Sequence, residues 1–241
     1  MKPRAVVTCV EYADILAITL PRIRQAFCEV VVLTTPRDRD TIDLATAAGC
    51  RVHKTERFYE NKAPFNKGAA IDEALHTFGK YSWMAVVDAD IVFPENVDWS
   101  MLRTGNLYCP RRRLLPDPND YRDTIDSSSL PEIPDKEYPG YCQVWDAQDP
   151  LYREPLYPVR WRHAGGSDSD FQSRWRAPNR NWLPWEVIHL GKVGVNWNGR
   201  VSRFLDGRVP EHAEERRTDR LNDIKTRERT RDYSHEFVKE V

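Results

Sequence analysis

Apolar positions in the first 95 residues alternate between short unbroken runs and stretches with a helical period. Ala5-Val6-Val7-Thr8-Cys9-Val10, Val30-Val31-Val32-Leu33 and Trp83-Met84-Ala85-Val86-Val87 are runs rich in β-branched residues. Runs of this length predict strands buried on both faces, because a strand with one wet face would alternate. Between the first two, Ile15, Leu16, Ile18, Leu20, Ile23 and Phe27 form a broad apolar face and predict a helix over 14–27. A second helix is expected from an Asp40 cap to Ala48, with Gly49 as its stop. A third is expected from Asn66 through Phe78, stopping near Gly79. Arg51 to Thr55 reads as a weaker strand. Alternation at this spacing implies an α/β fold with a mostly parallel sheet and helices on both faces.

The texture then changes. Nine prolines fall between Glu95 and Arg160, among short polar pieces with few helical periods. This predicts a loop-rich half over 96–207, built onto the half formed by 1–95, and a charged helical tail over 208–241.

Composition narrows the function classes. With 36 basic and 37 acidic residues the net charge is −1, so no global field demands nucleic acid or an anionic membrane. Positive charge is local: Arg111-Arg112-Arg113, and seven basic against three acidic residues within 216–231. The five cysteines are odd in number, widely spread and without a C-x-x-C, which disfavours a disulfide framework and a zinc site. No run approaches eighteen apolar residues and the start does not resemble a signal peptide, so a soluble, cytoplasmic protein of bacterial or phage type is expected.

The candidate chemistry begins at Asp88-Ala89-Asp90, which closes the third apolar run. Two carboxylates beside a core are costly unless neutralised, and a divalent cation bridged to phosphates does this well. Ligands of such sheets bind beyond the carboxyl ends of the strands, where Tyr12, Thr34-Thr35 and Asp88-Asp90 fall. Cys9-Val10-Glu11-Tyr12-Ala13-Asp14 contains no G-x-G-x-x-G, and the chain has no phosphate-binding G-x-x-x-x-G-K-[ST]. A nucleotide bound here would need metal to offset its diphosphate. Phe65-Asn66-Lys67-Gly68 opens a helix whose N–H groups and Lys67 suit a phosphate or a sugar hydroxyl.

Together these pieces resemble the GT-A fold nucleotide-sugar glycosyltransferases, in particular family-2-like and β-1,4-galactosyltransferase-like enzymes, over most of residues 4–200. The resemblance implies a uridine pocket with Thr8 and Tyr12 and a base or ribose contact from Asp38. Asn66 and Lys67 resemble the N-x-G-type helix start that precedes the D-x-D. Asp88 and Asp90 then hold Mn²⁺ or Mg²⁺, with Asp88 also contacting ribose or sugar. Gly165-Gly166-Ser167-Asp168-Ser169-Asp170-Phe171 resembles G-G-E-D-D-D-F, with Ser167 and Ser169 replacing acidic residues. Carried across, Asp168 is the general base, and Gly166 and Asp170 are sugar or acceptor contacts. Gly140 to Trp145 resembles the strand flanking the acceptor cleft, and Trp185, Trp182 and Tyr141 offer rings for stacking.

His189-Leu190-Gly191 with Trp197 resembles H-x-x-G-x-x-K-P-W and implies a third metal ligand at His189. Val195 and Asn196 replace the Lys and Pro, which leaves Lys192 or Arg200 for the diphosphate.

The expected function is inverting transfer from a nucleoside-diphosphate sugar, UDP-linked by resemblance, to an acceptor hydroxyl. The acceptor is a saccharide or glycoconjugate, with a hydroxylated base in DNA suggested by the arginine clusters. A sugar-nucleotide nucleotidyltransferase would share the alternating sheet but want a glycine-rich basic loop after strand 1. A non-catalytic nucleotide- or glycan-binding domain would keep Asp88 and Asp90 without needing Asp168.

Overall fold

The computed structural model describes residues 1–79, 82–134, 139–219 and 221–222. Strands β1 (Arg4–Thr8), β2 (Glu29–Thr34), β3 (Arg51–Lys54) and β4 (Trp83–Asp88) alternate with helices α1 (Ala13–Ala26), α2 (Arg39–Ala47) and α3 (Lys67–Phe78). The remaining elements are β5 (Ile91–Val92), β6 (Leu107–Leu115), β7 (Cys142–Asp146), the short helix α4 (Ser167–Gln172) and β8 (Arg180–Leu190).

Among the described residues, all eight strands lie in one sheet, ordered β3-β2-β1-β4-β7-β6-β8-β5. β3, β2, β1 and β4 run parallel, and so do β6 and β8. β7 against β4, β6 against β7, and β5 against β8 are antiparallel. The sheet is therefore mixed, with its parallel part in the Rossmann-like first half. This is the α/β architecture expected from the sequence, a mixed and mostly parallel sheet flanked by helices.

Both faces of the parallel half are covered, which is why its strands are apolar without alternation. Ala5, Val7, Val32, Ala85 and Val87 pack with Leu16, Leu20 and Ile23 of α1 on one face. Val6, Val31, Leu33, Met84 and Val86 pack with Ile71 and Leu75 of α3, and with Phe171 and Trp175, on the other. α3 lies close to the segment before α4. A Cβ on Gly68 would sit 2.0 Å from the carbonyl oxygen of Pro158, so only glycine permits that approach. Gly68→Ala is expected to cost about 1–3 kcal/mol of stability, as overpacking of a rigid contact does. The denaturant midpoint should fall accordingly.

Three features differ from the sequence expectation. Asp38, not Asp40, caps α2, its carboxylate accepting from Thr41 N at 3.3 Å. The proline-rich stretch contains β6, nine residues long, whose register shifts between Cys109 and Arg111 and so accommodates Pro110. β8 extends over eleven residues, although only its last apolar stretch is readable as a strand in the sequence. Of the charged tail, residues 213–219 are helical. The expected helix beyond Asn222, and Arg220 within it, lie outside the described residues.

Candidate active site

The carboxyl ends of β1 and β4 open into a cavity of about 430 Å³. Its walls come from the turn after β1 (Thr8, Val10, Tyr12), the N-terminus of α3 (Phe65, Lys67) and the D-x-D. The Gly140 and Gly165–Ser169 turns face them, and the 192–200 segment completes the wall. Parallel pairing sets Thr8 beside Asp88 in register. β5 then returns against β8, pairing Ile91 with His189, and the Leu190 N–H donates to the carbonyl of Asp90 at 2.9 Å. This pairing brings Asp90 and His189 together, 99 positions apart in the chain. His189 Nε2 lies 3.7 Å from Asp90 Oδ2, too far for a hydrogen bond.

Asp90 Oδ1 and His189 Nδ1 are buried without a hydrogen-bond partner, and so is Thr8 Oγ1. Orphaned buried polar atoms are rare and demand an explanation. A carboxylate and an imidazole that face each other at 3.7 Å, each with one buried atom left without a hydrogen bond, fit a divalent cation such as Mn²⁺. Asp88 behaves differently, since its Oδ1 accepts a hydrogen bond from Lys67 Nζ, itself buried. Burial raises the Asp88 carboxyl above the ordinary range, with Lys67 opposing and Asp90 reinforcing the rise. The expected trio of Asp88, Asp90 and His189 is thus not drawn into one tight group: Asp90 and His189 form the unpaired set, and Asp88 is held by Lys67. Among the described residues, the potential ligands that do lie within 4.8 Å of one another are those of Asp72, His76 and Glu154. These sit outside the cavity; Asp72 Oδ1 accepts from Tyr157 N at 2.9 Å, and His76 contacts Glu154 at 3.1 Å, so they already satisfy one another.

Across the cavity, Gly166 starts α4 at φ 105°, and a Cβ there would meet the Trp161 ring at 2.7 Å. That turn presents Asp168 in the first helical turn. Asp168 Oδ2 accepts from Gly140 N at 2.8 Å. The Asp168 backbone carbonyl accepts from Gln143 Nε2 at 3.2 Å, and Gln143 Oε1 accepts from the buried Tyr157 hydroxyl at 3.0 Å. A Cβ on Gly140 would lie 2.6 Å from the Asp168 Cβ, so the close approach depends on glycine.

Tyr12 lines the wall with the Arg200 guanidinium 4.5 Å above its ring, and its hydroxyl accepts from Asn196 Nδ2. Burial pushes that hydroxyl's pKa up. Lys192 is exposed at the cavity's edge. Arg200 also lines it, but its guanidinium is committed to both oxygens of Asp14 and to the carbonyl of Glu11.

Four expected site residues do not reach the cavity. Asp38 spends its oxygens on Thr41 N, Glu11 N and the Thr34 hydroxyl. Asn66 caps α3 by accepting from Ala69 N at 2.9 Å and donates to the Val159 carbonyl. Asp170 accepts from Arg160 Nε at 2.8 Å and Trp161 Nε1 at 3.2 Å, on the outer side of α4. Trp185 packs edge-to-face on Trp99, 5.1 Å between ring centroids, and against Phe93. In each case local satisfaction or core packing competes successfully for the side chain.

Arg111, Arg112 and Arg113 are likewise engaged, while most of the basic residues of 216–231 lie outside the described residues. Arg113 forms a two-point pair with Glu186, Arg111 lies over Trp182 and 3.7 Å from Glu132, and Arg112 is buried over Tyr141. These contacts leave no track of unpaired guanidinium groups there to follow a phosphate backbone. Gly140 and Gln143 fall in the stretch likened to the strand beside the acceptor cleft, but their bonds to Asp168, and Tyr157 behind Gln143, were not legible because they exist only through α4.

No family model matches this chain, and no curated protein matches it. Among solved structures it is similar to glucosyl-3-phosphoglycerate synthase from Mycobacterium tuberculosis in complex with Mn²⁺, UDP and glucosyl-3-phosphoglycerate. The identity is 22% over 46% of this chain and 44% of that chain, with TM-score 0.35. The same enzyme with phosphoglyceric acid matches at 14% identity over 79% and 72% of the two chains, with TM-score 0.48. Mannosyl-3-phosphoglycerate synthase from Rubrobacter xylanophilus matches at 18% over 50% and 42%, TM-score 0.37. 4-Diphosphocytidyl-2C-methyl-D-erythritol synthase from Anaerococcus prevotii matches at 13% over 78% and 89%, TM-score 0.41. In the first and third of these matches the chain spans less than half of the other protein's length. The likeness is one of backbone course and assigns no residue a role. No helix among the described residues is long and apolar enough to cross a membrane.

Proposed function

We propose that this chain is a metal-dependent glycosyltransferase that moves a sugar from a nucleoside-diphosphate sugar to an acceptor hydroxyl with inversion. The observation that carries the reading is the unpaired Asp90–His189 set facing, across one cavity, a carboxylate held in place at Asp168. Asp90 and His189 would hold the cation, which when bound supplies charge stabilisation to the leaving diphosphate. Thr8 and Tyr12 line the end of the cavity where the sheet ends and would receive the nucleoside. Lys67 fixes Asp88 so that its free oxygen can meet a ribose or sugar hydroxyl. Lys192, at the edge, would meet the diphosphate, since Arg200 is already committed.

Asp168 is arranged to accept a proton. Gly140 N–H and the Gln143–Tyr157 pair fix its orientation, and its other carboxylate oxygen is left for the acceptor hydroxyl. Asp168 would take that proton as the hydroxyl attacks the anomeric carbon from the side away from the diphosphate, the carbon–oxygen bond to the diphosphate breaking as the new one forms, and inversion would follow. A saccharide or glycoconjugate is the acceptor class proposed, with UDP as the first nucleotide to test. In this reading residues 1–95 form the donor half and 96–207 the acceptor half.

Thermal unfolding against nucleoside diphosphates and their sugars, each with Mn²⁺ and with EDTA, tests the donor site. A ligand binding only the folded state adds about 2.7 kcal/mol at a hundredfold excess over its dissociation constant. A rise in midpoint with UDP or GDP that EDTA removes is the expected result. No rise with any nucleotide would overturn the reading.

A further inference from the structure

We propose that Arg216, in the helical segment after the sheet, is a positioning residue for nucleotide binding. The inference rests on the reading above that the cavity takes a nucleoside diphosphate.

β1 ends at Thr8, and the turn after it carries Tyr12 into the cavity, with Glu11 between them at φ 60°. A non-glycine residue in the left-handed region is unfavourable unless its surroundings hold it there. Glu11 is held at three places. Its N–H donates to Asp38 Oδ2 at 2.6 Å, and its carbonyl accepts from Arg200 Nη1 at 2.6 Å. Its carboxylate takes both terminal nitrogens of Arg216, at 2.6 and 3.2 Å.

Arg216 does more than pair with Glu11. Its Nη1 also donates to the carbonyl of Arg200 at 2.9 Å, and the side chain is only 9% exposed. Gly199 makes room for it at φ 92°, since a Cβ there would lie 2.9 Å from Arg216 Nε. Arg200 in turn clasps Asp14 and stacks on Tyr12. Two arginines therefore join two stretches of the cavity wall, the 192–200 segment and the turn after β1. Ala213 is buried and Arg217 donates to the carbonyl of Val201 at 3.0 Å, so the helical segment is seated on this junction. The basic stretch read in the sequence as a possible nucleic-acid contact thus begins with a residue turned inward.

Without Arg216, the Glu11 carboxylate would lose its partner and the turn one of its three restraints. Tyr12 would then be less preorganised, and the cost would fall on nucleotide affinity. The test is calorimetric titration of the full chain with UDP, and with GDP in parallel, at saturating Mn²⁺. Arg216→Met is expected to weaken binding at least tenfold and Glu11→Gln to weaken it in the same direction. The double variant should bind no more weakly than Arg216→Met alone, because the pair acts as one unit. Arg216→Lys, which restores the charge but not the fork, should fall between. Should Arg216→Met fail to fold, Glu11→Gln decides. Wild-type affinity in the folded variants overturns the proposal, even with lowered melting temperatures, because Arg216 would then only fasten the segment to the domain. If the unsubstituted protein binds neither nucleotide, the donor-site reading itself falls, an outcome distinct from equal binding by protein and variants.

Discussion

Asp168→Asn is expected to lower sugar transfer by about 10²–10⁴-fold, the usual contribution of a positioned general base. The substitution is nearly isosteric, and the Asn side-chain oxygen can still accept from Gly140 N–H, now 2.8 Å from Asp168 Oδ2. Gln143 bonds the backbone carbonyl, which the change leaves alone. The fold and the donor site should therefore survive, so nucleotide affinity is expected to stay within about twofold while turnover collapses. Binding and single-turnover transfer measured side by side check this. Transfer at the unsubstituted rate would remove Asp168 from the reaction. A binding domain without catalysis would show no transfer before or after the change.

The second large effect is expected at the unpaired set. Asp90→Asn or His189→Ala should abolish the Mn²⁺-dependent part of nucleotide binding and reduce transfer by about 10²-fold or more, as loss of several kcal/mol of charge stabilisation requires. Asp90→Asn is nearly isosteric and removes a buried charge whose Oδ1 has no partner, so it should fold about as stably as the parent, whereas His189→Ala empties a buried position and should lose stability as well. Loss of metal response without loss of melting temperature in Asp90→Asn is the signature to look for.

Acid should act on the same site. Because burial raises the Asp88 carboxyl, it takes up a proton at higher pH than an ordinary aspartate and its ion pair with Lys67 weakens as pH falls. Nucleotide affinity with Mn²⁺ is expected to fall on acidification from neutrality, starting above the usual carboxylate range. A Lys67→Met variant removes the opposing charge, so its fall should begin at higher pH still. Titrations at a series of pH values check both.

Much of the first half was legible because its signals are local. Unbroken apolar runs and a helical face report burial directly, and β1, β2, β4, α1 and α3 lie where those patterns place them. The D-x-D was legible for the same reason, as charge at the end of a buried run. β6 and most of β8 were not, since Pro110 and the arginines break the apolar pattern. Those strands are stabilised by pairing with each other and by Arg113 with Glu186 across them.

Residue roles divided along the same line. Asp38 and Asn66 looked like ligand contacts because capping residues and binding residues share one chemistry. Which of the two a side chain performs depends on whether a backbone N–H is nearer than the cavity.

The chain by itself determined the α/β alternation, the position of Asp88-Ala89-Asp90 at a strand end and the turn that carries Asp168. Each follows from neighbours within a few residues. Tertiary structure alone decided that His189 stands beside Asp90, that Lys67 holds Asp88, and that Arg200 and Arg216 reach back to Asp14 and Glu11. Those contacts span from about twenty to more than two hundred positions. Sheet pairing and the burial of whole faces set them, and no local pattern encodes which charged groups a folded sheet will bring together.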